Sequence, residues 1–185
     1  ITVPVNDMHA LSAYNITITQ AAEEDPIGLL SSSWKVVYEA EDGQLSGNAS
    51  IADEPGNACS GKQKVHFVDS ANDKVTLTVQ VPSDGYYKYD MVYCAATGCN
   101  TGDPEHNTPF TAIQTLTIDN REPMTMILPT TLQWSLGGMY TDYIWLEAGE
   151  HKLTIAGSDS KGKAVPDCIY LSYQGSEEAD IYFDR

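Results

Sequence analysis

Hydrophobic and polar residues alternate with a two-residue period along most of the chain after residue 33. Between Val75 and Val81, apolar residues are separated by Thr and Gln, which is typical of a strand with one buried face. Pro82 to Gly85 then supplies turn residues. Similar runs predict further strands at 34–41, 64–68, 86–94, 113–119, 123–128, 142–147, 151–156 and 167–173. About nine short strands with turns between them predict an all-β fold, an antiparallel β-sandwich or jelly roll.

Three segments lie outside this pattern. Residues 1–33 contain strand-like pieces and an acidic loop, so they are either an extension that packs on the sandwich or the end of a preceding domain. Residues 34–174 form the predicted sandwich, and residues 175–185 form an acidic tail. Residues 95–112 are a long polar loop, which is either a surface excursion or a binding loop.

The charge of the chain narrows its partners. The 26 acidic residues outnumber the 10 basic ones, and the formal net charge is −16. Such a field repels phosphate backbones and anionic membranes and favours cations. No apolar run reaches the roughly 18 residues of a membrane span, and the first residues lack the features of a signal peptide. We therefore expect neither nucleic acid nor membrane as a partner.

The cysteines and sequons indicate an oxidising compartment. Four cysteines fit two disulfides, and Asn15 and Asn48 begin N-glycosylation sequons. We expect a secreted, extracellular glycoprotein. Cys94 and Cys99 could close a small loop, and a bond between Cys59 and Cys168 is a further option. Three pairings stay open, because the sequence does not choose among them.

Acidic residues near both ends of the predicted sandwich suggest a cation site. In a strand, Glu39 and Glu41 would point to the same face, and two adjacent carboxylates repel unless a cation lies between them. Calcium accepts such oxygen ligands together with backbone carbonyls. Asp167 begins the last predicted strand, and the glycine-containing loop at Ser60 to Lys62 could supply carbonyls. A solvated acidic surface is the alternative, while scattered histidines and the lack of a C-x-x-C motif disfavour zinc.

An ordered set of short motifs resembles carbohydrate-binding modules of family 35 and the related family 6. The motifs are Tyr38-Glu-Ala-Glu-Asp42, Ser60-Gly-Lys62, Val81-Pro-x-x-Gly-Tyr-Tyr87, Tyr93-Cys-Ala95, Leu146-x-Ala-Gly-x-His-x-Leu153 and Asp167-x-Ile-x-Leu171. The resemblance implies a non-catalytic jelly roll with one structural calcium. By position, the implied calcium ligands are Glu39, Glu41, Asp167 and a backbone oxygen near Lys62.

The same resemblance places a sugar among loops at one end of the sandwich, with an aromatic ring against the apolar face of the sugar. Trp134, in a glycine-containing segment, is the first candidate, with a partly buried packing role as its alternative, and Tyr140 is the second. Lys64 and Val165 stand where the family often has Tyr and Asn. Two outcomes follow: either binding uses Lys64, Asp159, Lys161 and the 95–112 loop, for a galactoside, a mannan or a uronic acid, or the sugar site has been lost.

Catalytic motifs are weak in this chain. A glycosidase needs two carboxyl groups facing each other across a cleft, and neither a Gly-x-Ser-x-Gly elbow nor a phosphate loop is present. Asp103, Glu105 and His106 are a thin hint of chemistry. The prediction is a non-catalytic, lectin-like carbohydrate-binding domain of a secreted glycoside-active protein, with a catalytic domain attached to it. The alternatives are a structural or protein-binding extracellular sandwich and a part of the hydrolase unit itself.

Overall fold

The computed structural model describes residues 34–54, 59–95, 111–131, 133–158 and 163–177. Within them the chain forms one 3₁₀ turn, Ala40–Asp42, and a series of β-strands. The strands are β1 (Lys35–Glu39), β2 (Gln44–Ser46), β3 (Ser50–Asp53), β4 (Gln63–His66), β5 (Lys74–Val81), β6 (Gly85–Cys94), β7 (Thr111–Ile118), β8 (Met124–Pro129), β9 (Gly138–Leu146), β10 (Gly149–Gly157) and β11 (Val165–Gly175).

These strands form two main sheets and a hairpin. One sheet has the order β1-β11-β6-β9, the other has the order β2-β5-β10-β7-β8, and β3 pairs with β4. Every pairing is antiparallel. This architecture confirms the predicted antiparallel β-sandwich of jelly-roll type. No helix of this described part is long and apolar enough to cross a lipid bilayer.

The core lies between the two sheets and follows the sequence alternation. The apolar residues of β5 from Val75 to Val81 are buried, and β6 buries Tyr87, Tyr89 and Met91 against them. Burial of apolar side chains stabilises by roughly 1.5–3 kcal/mol for each large one, so these two strands contribute a large share of the stability of the core. The predicted strands are all present, and β2 and β3 are additional because three or four residues are too short to show a period.

The first and last described strands are neighbours. β1 pairs with β11, and Glu39 stands opposite Cys168, so Asp167 lies beside the end of β1. The expectation that Glu39 and Glu41 share one strand face is wrong, because β1 ends at Glu39 and Glu41 lies in the 3₁₀ turn. Ala40 is buried in the core, and the chain turns there because the 3₁₀ turn begins at this residue.

The expected disulfides are not formed. Among the described cysteines the structure has no disulfide; Cys94 and Cys168 are buried thiols, and the Cys59 thiol donates to the Glu54 carbonyl at 3.4 Å. The predicted Cys59–Cys168 and Cys94–Cys99 bonds are therefore wrong for the three described cysteines. Cys99 itself lies outside the described residues. The Cys59 and Cys168 segments meet through Ser60 instead, whose amide donates to Asp167.

One ion pair connects the turns at one end of the five-stranded sheet. His151 Nδ1 lies 2.8 Å from Asp119 Oδ2, and His151 Nε2 lies 2.7 Å from the Glu147 carbonyl. Both partners only accept hydrogen bonds, so the doubly protonated ring satisfies both. Burial lowers the pKa of His151, but the Asp119 and Glu147 contacts outweigh burial and raise it. Burial raises the pKa of Asp119, and hydrogen bonds from His151 and Lys152 outweigh that effect and lower it.

Replacing Asp119 with Asn should remove the charge from this pair while keeping the turn. Asp119 has a φ of 52°, which Asn tolerates. The raised His151 pKa stabilises the fold below the unfolded-state value of about 6.5, and this contribution is lost as the pH rises through the folded-state pKa. In D119N we expect a lower His151 pKa in an NMR titration and a loss of about 1–2 kcal/mol at pH 6. An unchanged pKa in D119N would contradict this assignment.

Candidate functional site

Two neighbouring sites lie near one end of the sandwich: an acidic cluster and a cavity. In the acidic cluster, both carboxylate oxygens of Asp167 accept from the Ser60 amide at 3.0 Å. The Ser60 hydroxyl donates to Glu39 Oε1 at 2.6 Å. Ser60 therefore bridges the ends of β1 and β11, and the structure brings the predicted carboxylates together.

Two oxygens of this cluster lack hydrogen bonds. Glu39 Oε2 and Glu41 Oε2 are buried and have no hydrogen-bond partner among the described residues. A buried carboxylate oxygen without a partner is unfavourable. Gly61 has a φ of 56°, and a Cβ there would lie 2.5 Å from Glu41 Oε1, so a side chain at position 61 would displace this carboxylate. Lys62 is also left-handed, with a φ of 66°.

The electrostatics of the cluster oppose full ionisation. Burial raises the pKa of Glu41, and the nearby charges of Glu39 and Asp167 raise it further. Burial also raises the pKa of Asp167; the Ser60 amide opposes this effect, and the charge of Glu39 adds to it. The carboxylates are thus held near one another despite their repulsion, and a bound cation would relieve it.

The cluster fits a cation only with help from other oxygens. No group of three or more His, Cys, Asp and Glu side chains in the described ranges is arranged to hold a metal ion. The carbonyl of Lys62 accepts a hydrogen bond from the Glu54 amide at 2.7 Å, and a carbonyl oxygen with one such bond keeps a second lone pair that can serve as a ligand. The two unpartnered glutamate oxygens suit calcium, which takes carbonyl oxygens and water as further ligands.

The second site is a cavity of about 280 Å³ that contains Lys64, Phe67 and Trp134. Trp134 is 42% exposed and Phe67 is 56% exposed. Two large aromatic side chains therefore reach solvent at one cavity, in contrast to the buried rings of β6. The predicted segment around Trp134 is a turn, as its glycines indicated.

Lys64 forms the floor of the cavity. Its side chain is buried, with the residue only 1% exposed, and Nζ donates to the Trp134 carbonyl at 3.0 Å and to Cys94 Sγ at 3.1 Å. Lys64 thereby fixes the backbone that carries the indole. The sequence placed Lys64 and Trp134 in one site, and the structure brings them together.

Two ion pairs that were not predicted from the sequence line the cavity. His66 Nε2 lies 3.0 Å from Glu54 Oε1, and Lys163 Nζ lies 2.9 Å from Asp69 Oδ2. His66 and Phe67 fell within a predicted strand, where alternation assigned them to sheet faces. No motif marks the other three residues, and only their charge and their nearness to predicted loops could have suggested them.

The remaining predicted sugar contacts lie elsewhere or are not described. Tyr140 is on β9, where its ring packs 6.5 Å from that of Tyr89 and its hydroxyl donates to Asp142; it does not line the cavity. Asp159, Lys161 and residues 96–110, with Asp103, Glu105 and His106, lie outside the described residues. Of the two sequons, Asn48 is exposed and Asn15 is outside the described part.

The acidic cluster and the cavity are built on the same strands. β4 follows the Ser60–Lys62 loop and carries Lys64 and His66, while β11 carries Asp167. Val165, two residues before Asp167, lines the cavity. A cation that fixed the Ser60–Lys62 loop against β11 would therefore also fix the floor of the cavity.

Comparisons with known proteins agree with this architecture. No protein-family model matches the chain. A segment is 41% identical over 66 residues to mannan endo-1,4-beta-mannosidase A of Piromyces sp., which is 36% of this chain and 11% of that enzyme. The chain thus corresponds to a small part of the length of this curated relative.

Solved structures share the fold over most of the chain. A family 35 carbohydrate binding module from Clostridium thermocellum matches with a TM-score of 0.65 and 21% identity, covering 74% of this chain and 98% of the module. The Podospora anserina GH26-CBM35 beta-(1,4)-mannanase matches with a TM-score of 0.58 and 17% identity, covering 80% of this chain and 29% of that protein. The chain therefore has the fold of the family 35 carbohydrate-binding modules, which confirms the resemblance indicated by its motifs.

Proposed function

We propose that this chain is a non-catalytic carbohydrate-binding domain of a glycoside-active protein and that the cavity beside Trp134 receives the sugar. The observation that carries this proposal is the exposed indole held at a cavity by the buried Lys64. A sugar ring combines an apolar C–H face with hydroxyl groups. The indole suits the C–H face, and the two ion pairs at the cavity offer donors and acceptors to the hydroxyls.

The polysaccharide and the attached catalytic unit rest on the names of similar proteins. A matched relative and a matched structure are mannanases, and the chain corresponds to only a small part of each. We therefore place this domain beside a hydrolase unit, with mannan as the first ligand to test and galactosides and uronic acids next. Asp167 is buried, as is one carboxylate oxygen each of Glu39 and Glu41, and this burial supports a structural role for the cluster rather than a catalytic one.

Calcium is the proposed structural ion. Glu39, Glu41, Asp167 and the Lys62 carbonyl would hold it, and the two unpartnered glutamate oxygens support this assignment. The ion would offset the repulsion among the carboxylates and would fasten the Ser60–Lys62 loop to β1 and β11. We also propose a secreted, extracellular location, which the N-glycosylation sequons support. The exposed Asn48 is the glycan acceptor to test by mass spectrometry.

Sugar binding should depend on the Trp134 ring. We expect the wild-type chain to be retained on a mannan or on one class of glycan in an array, and W134A to bind at least about tenfold more weakly. W145A is the matched control, because Trp145 is 37% exposed on β9 and does not line the cavity. A broad array without any ligand, on a normally folded domain, would favour the structural or protein-binding sandwich instead.

Removing the proposed calcium should destabilise the domain. A chelator should lower Tm by about 5–10 °C, because the ion binds the native state preferentially. E39Q should show a lower Tm that calcium no longer raises. Unchanged melting in both experiments would remove the metal assignment.

The effect of calcium should grow with pH. A carboxyl group whose pKa is raised by folding favours the folded state only while it is protonated. Without metal, stability should therefore fall as the pH rises through the raised pKa values of Glu41 and Asp167. With calcium this fall should be smaller, and a Tm difference that stays constant from pH 4 to pH 7 would contradict the proposal.

A further inference from the structure

Phe67 combines two unusual properties at the cavity. Its φ is 61°, a left-handed conformation that is a genuine outlier for a bulky residue. Its side chain is nevertheless 56% exposed, so the core gains little from its burial. Gly or Asn would adopt this backbone with less strain, and the fold alone does not explain why a phenyl ring stands here.

Contacts on both sides impose this conformation. On one side, His66 ends β4, where it stands opposite Ser50 and pairs with Glu54. On the other side, Val68 is buried in the core, and its carbonyl accepts from the buried Gln114 amide at 3.2 Å. The chain is thus fixed before and after Phe67, and the residue between these anchors is turned out of the sheet. Strain that is held in place in this manner is typical of functional positions.

The position of the Phe67 ring makes it accessible to a ligand in the cavity. Phe67 lines the same cavity as Trp134, and within the described ranges its ring makes an edge contact with the His66 ring, with centroids 6.1 Å apart. Most of its apolar surface is therefore available to a ligand. A second aromatic surface at a sugar cavity offers the ligand another apolar contact area, because pyranose rings carry C–H groups on their edges and faces.

We propose that Phe67 is a ligand-contact residue that determines specificity together with Trp134, and that the cavity takes a single pyranose unit at a chain end or on a side branch. This inference rests on the proposed function and deepens it.

The small size of the cavity favours a ligand of one sugar unit. Its volume of about 280 Å³ lies below the roughly 300–1,000 Å³ of pockets that enclose drug-sized ligands. The buried Lys64 closes the floor, and the Lys163–Asp69 and His66–Glu54 pairs lie among the lining residues. A stretch of several linked sugars needs an open groove, whereas a terminal or branching unit needs only this cavity.

Substitution of Phe67 separates binding from stability. In F67N the aromatic contact is lost and the strain is relieved, so we expect about tenfold weaker binding of the ligand found for the wild-type chain. Its Tm should be equal to that of the wild type or about 2 °C higher. F67Y keeps the ring and should bind within about twofold of the wild type, and W145A serves again as the control for loss of an exposed ring.

The outcomes distinguish this inference from the proposed function. If F67N binds the glycan as tightly as the wild type, the role of Phe67 is overturned and the proposed function stands. The same holds if the Tm of F67N falls so far that partial unfolding explains its weaker binding. A wild-type chain without any glycan ligand overturns the proposed function, and this inference with it.

Chain length tests the single-unit part of the proposal. Calorimetric titration with the mono-, tri- and hexasaccharide of the recognised sugar should give affinities per chain within about threefold of one another, because only one unit enters the cavity. For a ligand that is a side branch, the branched oligosaccharide should bind and the unbranched backbone should not. Affinity that rises tenfold or more from the mono- to the trisaccharide, or from the tri- to the hexasaccharide, would overturn the single-unit site in favour of a groove.

Discussion

The pairing of β1 with β11 is the constraint on which the rest of this structure depends. It places Glu39 opposite Cys168 and so brings the carboxylate of Asp167 to the end of the first described strand. Ser60 then joins both strands by donating to Glu39 and to Asp167. Three segments that are distant in the sequence are held at one point, and the repulsion among their carboxylates is the force that this point must overcome.

The cavity depends on the same junction. β4 leaves the Ser60–Lys62 loop and carries Lys64 to the floor of the cavity, and β11 brings Val165 to its wall. A change at the acidic cluster therefore reaches the cavity through two strands without a contact between the cluster and a ligand. A structural ion and a sugar would in this arrangement be coupled by rigid β-structure, in which small shifts are transmitted and not absorbed.

The sequence predicted the sandwich well because its cores are periodic: the alternation from Val75 to Val81 appears in the structure as one buried strand face. The order of the motifs also drew attention to Glu39, Glu41 and Asp167, which the structure brings together, but it did not foresee the bond between Lys64 and the Trp134 carbonyl. It could not foresee that Glu41 lies in a 3₁₀ turn, because the acidic run around it continues the strand pattern. It missed Phe67 for a related reason: a left-handed residue is set by anchors such as Gln114 on β7, which no local pattern reveals.

The bond from Lys64 to the Trp134 carbonyl has a thermodynamic consequence. The segment that presents the indole is tied to a buried ammonium group, so its main chain is already ordered before any ligand arrives. Because this segment is already ordered, it loses little conformational entropy when a ligand binds. A larger part of the free energy of each weak contact then contributes to the affinity. A rigid binding site thus lowers the entropic cost of association, which partly compensates for the small area that a single sugar unit buries.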